Sequence, residues 1–153
     1  QMCIRDSSGC ARRSHLRRMW GEVREELDDQ IELVAVAYAD SDHADCLTPE
    51  QVFTEAADAG FRWCLIDTYT KNGQSSLDHL GTMRLQRLSL LSVQLRMRWA
   101  LAGSIDRTHL QQLAAEGIDP DFVGVRGGVC HGGRRGELDP QRVRLWQQAL
   151  RSH

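Results

Sequence analysis

The stretch 122-FVGVRGGVCHGGRRGELD-139 decides how the chain folds. It opens as an apolar, β-like run, breaks into Gly127, Gly128, Gly132 and Gly133 with Arg126 at the junction and Arg134 and Arg135 behind, and then re-enters a helix at Asp139 and Pro140. Glycine admits positive φ and lets backbone N–H groups approach a ligand closely, so a strand ending this way can present a ring of donors to a phosphate. Arginine adds a planar, fork-shaped charge of the matching sign. The alternative is a surface loop whose arginines are merely solvated. The first reading gains from an earlier run, 99-WALAGSI-105, that ends in the same manner.

Working outward, three more apolar runs precede it: 31-IELVAVAY-38, 61-FRWCLIDT-68 and 97-MRWALA-102. Near-continuous apolar runs of this length are how strands buried on both faces read, which points to a parallel sheet covered by helices. Helical patterns separate them. Thr48, Pro49 and Gln51 make a cap, a first-turn proline and a capping-box partner for a helix over 49–59 that Gly60 ends. A longer pattern over 76–96 sets Leu77, Leu80, Leu88, Leu91 and Leu95 on one face, with Gly81 and Arg84 predicting a kink. Asp106 caps a helix that ends at Gly117, and Asp139 with Pro140 starts a last helix with Val143, Trp146 and Leu150 inward. An amphipathic helix over 12–29, with Leu16, Trp20, Val23 and Leu27 in register, comes first and stops at Asp28 and Asp29. The fold class is therefore α/β: four strand–helix units with right-handed crossovers, either a small doubly wound sheet or half of an eight-stranded barrel. Two successive glycine-rich loops at the end of the chain favour the barrel, whose last two loops commonly bind phosphate.

Composition narrows the function. A chain of 153 residues, 41% hydrophobic and 26% charged, is an ordinary globular domain. A net charge of −2 and a pI near 6.3 argue against a nucleic-acid or anionic-membrane surface. The run 12-RRSHLRR-18 is the exception and reads as the solvated side of a helix, with a basic patch as the alternative. Five cysteines in no metal-binding spacing read as reduced thiols of a cytoplasmic protein, not as a disulfide framework or a metal site. No apolar run is long enough to span a bilayer. Residues 1–11 share no periodicity with the rest of the chain and begin without methionine, so they read as a disordered or artefactual segment, with the domain over 12–153.

Asp67 and Lys71 stand out as candidate catalytic groups, because a lysine beside a carboxylate at a strand's end can anchor phosphate, shuttle protons or, desolvated, form a Schiff base. Lys71 is the only lysine of the chain, every other fixed cation being arginine. The plain reading is a surface lysine beside a turn-capping aspartate. Gly103 and Ser104 offer backbone N–H groups and a hydroxyl to an anion, or simply an ordinary helix cap. Arg126 is placed to clamp a phosphate or carboxylate, or to pair with Asp67 or Asp40. Asp40, Gly127 and Gly128 complete the predicted substrate and phosphate site. The neighbours Cys130 and His131, and His43 with Asp42 and Asp45, are weaker candidates for a nucleophile pair and a metal site.

The segments 35-AVAYAD-40, 65-LIDTYTKNG-73, 100-ALAGSI-105 and 123-VGVRGGVCHGG-133, in this order and spacing, resemble (5-formylfuran-3-yl)methyl phosphate synthase, a family of methanofuran biosynthesis. The resemblance covers roughly residues 31–150. It implies the last four units of a (β/α)8 barrel, and a lyase that condenses two molecules of glyceraldehyde 3-phosphate into a furan aldehyde phosphate with loss of one phosphate and water. That chemistry runs through a lysine imine, with no metal or organic cofactor. Asp67 and Lys71 then resemble the family's aspartate and lysine after strand six, serving proton transfer and substrate orientation, and the turns at Gly103–Ser104 and Gly127–Gly128 would hold substrate phosphates. Two positions depart: Arg134 stands where members often carry an acidic residue, and Asn72 replaces the usual aspartate. The expected partner is a phosphorylated small molecule, with neither nucleic acid nor membrane, and association with further copies of the chain is open.

Overall fold

The computed structural model describes residues 9–151 apart from 29 and 134. The four apolar runs form strands β1 (Val34–Tyr38), β2 (Trp63–Asp67), β3 (Arg98–Leu101) and β4 (Phe122–Val123). They pair in sequence order and all in parallel, with Ala35 beside Cys64, Leu65 beside Ala100 and Leu101 beside Val123. Helix α1 (Arg13–Glu25) precedes β1, and α2 (Pro49–Asp58), α3 (Ser76–Gln94), α4 (Arg107–Ala115) and α5 (Pro140–Arg151) follow the successive strands. The order does not reverse, as it would at the switch point of a doubly wound sheet.

Strand periodicity then sorts the side chains. Ala35, Ala37, Cys64, Ile66, Trp99 and Leu101 point to one face and are buried in a single cluster with Val52 and Phe53 of α2, Leu85 and Leu88 of α3, and Leu110 and Leu113 of α4. Val34, Trp63, Leu65, Arg98 and Phe122 alternate onto the other face, where Val34 is 43% and Phe122 56% exposed. On this face the Arg98 guanidinium lies 4.3 Å from the Trp63 ring centre and 5.7 Å from that of Phe122, while its Nε donates to Asp121 Oδ1 at 2.8 Å. The turn over 40–46 covers one side of it, laying Ala44 and Cys46 on Val36 and Tyr38. The apolar strands predict burial on both faces; β1 meets this from Ala35 to Tyr38, whereas the second faces of β2, β3 and β4 are half-buried or exposed. Strands laid down in order by crossovers of one hand put every helix on the same side.

Local signals account for the helix boundaries. Thr48 Oγ1 accepts from Gln51 N at 3.4 Å, and Gln51 Oε1 from Thr48 N at 3.0 Å. Ser75 and Asp78 repeat the device at the start of α3, and Asp106 and His109 at the start of α4. Gly81, at φ 68° and ψ 161°, breaks α3 where the sequence predicts a kink. Helix α1 ends at Glu25, short of the acidic pair, of which Asp29 lies outside the described residues. Its basic run is not simply solvated, because Arg13 and Arg17 pair with the buried Glu55 of α2 and dock one helix on the other. Trp146 is buried but Leu150 is 45% exposed, so only the first turns of α5 face inward.

Gly9 N donates to Ala44 O at 2.9 Å and Cys10 is buried, so packing starts before Arg12, while residues 1–8 lie outside the described residues. Among the described residues Cys10, Cys46, Cys64 and Cys130 form no disulfide, and Cys3 lies outside the described residues. Burial pushes the Cys64 thiol up strongly, and burial with the nearby Asp40 pushes Cys46 up to about 11. Neither is a ready thiolate at neutral pH.

Candidate active site

The register sets the carboxyl ends of the strands level, with Tyr38 beside Asp67 and Leu101 beside Val123. The polar residues after each strand therefore share one rim. Following β2, the chain turns so that Lys71 folds back over the strand end. Its Nζ lies 3.1 Å from Asp67 Oδ1 and 3.2 Å from Thr68 Oγ1, and donates as well to Thr68 O. Asp67 Oδ1 also accepts from Thr68 N at 2.8 Å. Three oxygens thus surround one ammonium, which is how a lysine is held in a fixed pose beside a base.

After β3, Gly103 and Ser104 take φ of 87° and 56°, and this turn is wedged against the one before it. A Cβ on Gly103 would stand 2.8 Å from Thr68 N and meet Ser76 Oγ as well. Ser76 N donates to Gly103 O at 3.0 Å, and Ser76 Oγ to Ala102 O at 2.6 Å. Thr68 and Ser76, which sequence reasoning passed over, are fully buried and join the lysine turn to the glycine turn. The polar cluster 68–76 was their signal, and it reads equally as an ordinary loop. The N-terminus of α4 is already occupied by the Asp106 carboxylate, which accepts from His109 N at 2.9 Å. Any anion here would meet the turn's own N–H groups.

After β4 the glycine stretch divides in two. Arg126 is exposed, and among the described residues no ion pair joins it to Asp67 or Asp40. Gly127–Val129 form one short 3-10 turn in which Gly127 faces open space and a Cβ on Gly128 would sit 2.8 Å from the Trp146 Nε1. Residues 130–133 and 135–138 then run back on one another: Cys130 bridges Leu138, His131 N donates to Glu137 O at 2.9 Å, and Gly132 and Gly133 turn the chain at positive φ. A ring of donors built from Gly127, Gly128, Gly132 and Gly133 together is therefore not what forms, because a bend consumes the second pair. Arg135 is exposed, and Arg134 lies outside the described residues. Cys130 is buried and His131 turns to Asp139 at 3.1 Å, so the two make no nucleophile pair.

Asp40, after β1, is buried, with its carboxylate turned to backbone N–H groups of the neighbouring unit: Oδ1 accepts from Tyr69 N at 2.7 Å and Oδ2 from Thr70 N at 2.8 Å. Burial alone would raise its pKa, but these two bonds and the Thr70 hydroxyl outweigh it and hold the carboxyl below its ordinary value.

Residues 6–147 match the sequence model of the 4-HFC-P synthase family. Among curated proteins the chain is 33% identical over 122 residues to (5-formylfuran-3-yl)methyl phosphate synthase of Methanothermobacter thermautotrophicus, covering 78% of this chain and 51% of that protein. The enzyme of the same name from Archaeoglobus fulgidus is 31% identical over 134 residues, covering 86% of this chain and 56% of the relative. The chain thus spans about half the length of the relatives it matches. Among solved structures, phosphoribosyl anthranilate isomerase from Thermus thermophilus aligns with a TM-score of 0.43 at 14% identity, over 94% of this chain and 96% of that one. By the family match and the shared identity over most of its length, this chain belongs to the 4-HFC-P synthase family.

Proposed function

We propose that the chain supplies four βα units, the C-terminal half, of a (β/α)8 barrel that forms (5-formylfuran-3-yl)methyl phosphate from two molecules of glyceraldehyde 3-phosphate through lysine imine chemistry. The activity is that of a carbon–oxygen lyase in the biosynthesis of a methanofuran-type carrier. The observation that carries this reading is the Lys71–Asp67 pair at 3.1 Å, on the same rim as the Gly103 turn. The carboxylate can take a proton from the ammonium or return one, which suits the repeated proton transfers of an aldol-type condensation and of the dehydrations that aromatise a furan. The Gly103–Ser104 turn and the Arg126–Gly128 turn hold the phosphates, with Arg126 supplying the charge. The sequential order of the strands, the helices on one face and the relatives' greater length support the barrel.

The test is borohydride trapping with glyceraldehyde 3-phosphate on a full-length protein reconstructed around this chain, followed by the mass of the product formed without borohydride. A trapped adduct and a furan aldehyde phosphate are expected. A different product mass reassigns the chemistry to another Schiff-base aldolase, and binding of the sugar phosphate with no turnover leaves a phosphate-binding module.

The half-open sheet carries its own expectation. With Val34, Trp63 and Phe122 on a face that no helix covers among the described residues, the 153-residue chain expressed alone should self-associate at micromolar concentration. Light scattering that reads a monomer under those conditions contradicts it.

A further inference from the structure

Asp40 is the charged group of the rim whose contacts fit its sequence-based role least. Read as part of the phosphate site, it is instead an anion with both oxygens turned away, each accepting from a backbone N–H that lies in the next strand–helix unit. A second anion gains nothing from such a carboxylate. What these bonds do is fix two consecutive peptide groups immediately before Lys71. The ring of Tyr69 also stands edge-on to that of Tyr38, 5.5 Å between centres, so β1 holds the turn at a side chain as well as along the backbone.

We infer that Asp40 is a positioning residue: its carboxylate clamps the backbone at Tyr69 and Thr70, and thereby fixes the path from which the Lys71 amine returns over Asp67 and Thr68. The inference deepens the reading of Lys71 given above and rests on it for its functional meaning. The physical need is plain. A lysine stem is long and flexible, and residues 72–74 beyond it are exposed, so the amine's pose must be set from the N-terminal side of the turn. Two charge-assisted bonds from a buried, ionised carboxylate set it at little cost in mobility.

Lys71 is the only lysine of these 153 residues, so a single Lys71→Arg variant identifies its amine signal. The experiment is reductive 13C-methylation of the full-length protein reconstructed around this chain, with the Lys71 ε-dimethyl resonance, assigned by its loss in Lys71→Arg, followed alongside residue-resolved amide exchange, in the native protein and in Asp40→Asn. Asparagine keeps the shape but sets an amide donor against the Tyr69 or Thr70 N–H. Exchange at Tyr69 and Thr70 should speed up at least about tenfold while Cys64, Leu65 and Ile66 keep their protection, and the Lys71 resonance should move to that of a free lysine side chain. Native exchange rates at Tyr69 and Thr70, or an unmoved Lys71 resonance, overturn the inference. Should Asp40→Asn lose protection throughout β2, the same measurement is made on Asp40→Ser, which removes the carboxylate without adding an opposed donor. No substrate enters either measurement, so the clamp can fail while Lys71 remains essential, and Lys71 can prove dispensable while the clamp stands.

Discussion

Lys71→Ala, in a full-length enzyme reconstructed around this chain, is expected to lower kcat/KM for glyceraldehyde 3-phosphate by roughly 10²–10⁴-fold, the range that a positioned proton-transfer group supplies. The amine sits against Asp67, Thr68 O and Thr68 Oγ1, and no second lysine of this chain is available to replace it. Lys71→Arg separates two roles that alanine cannot. A guanidinium keeps the positive charge but does not give up its proton in the working range. If Lys71 only orients an anion, arginine should restore most of the rate, and if it moves protons, arginine should stay nearly as slow as alanine. Steady-state rates with the product identified by mass decide this. A kcat/KM for Lys71→Ala within a few-fold of the parent ends the catalytic assignment.

The second large effect falls on stability. Gly103→Ala is expected to cost about 2–5 kcal/mol, from about 1–2 kcal/mol for a side chain held at positive φ and about 1–3 kcal/mol for forcing a methyl into a packed site. The methyl would meet Thr68 N at 2.8 Å, which is backbone of a neighbouring turn and cannot swing aside as a flexible side chain would. Gly127→Ala is the matched control: it lies outside positive φ with nothing within 4 Å of the added carbon, and should change stability by less than about 0.5 kcal/mol. Urea unfolding of the pair measures the contrast, and equal midpoints would show that the Gly103 turn yields more easily than its contacts imply. The damage should also reach the lysine, because Thr68 touches Gly103 on one side and Lys71 on the other.

Much of this architecture is legible in the sequence. The capping box at Thr48 and Gln51, the break at Gly81, and the strand–helix alternation are all local, and local patterns survive into the fold. So does the Asp67–Lys71 pair, since four residues from a strand's end a side chain can fold back onto it. Features that depend on partners far along the chain are not legible. Asp40 reads in sequence as a rim residue open to substrate, yet its bonds go to residues about thirty positions later, and no spacing rule announces such a contact. The glycines of 127–133 look alike in sequence but do different things: Gly127 stands open, Gly128 gives room to the Trp146 indole, and Gly132 and Gly133 turn the chain at positive φ. The apolar pattern carries β4 through Val125, but the strand stops at Val123, with one further bond from Gly124 N to Leu101 O at 2.8 Å before the chain leaves β3.

The neighbour-to-neighbour pairing of the strands also bears on how the molecule is made. Each of β2, β3 and β4 finds a partner in the strand synthesised just before it, and the longest step runs only from Trp63 to Arg98. Loop closure is then cheap at each stage, and structure can accrete one unit at a time as the polypeptide leaves the ribosome. The last-built layer, two residues of β4 against β3, is the thinnest of the stack. It should be the first to fray in hydrogen exchange and the last to gain protection during refolding.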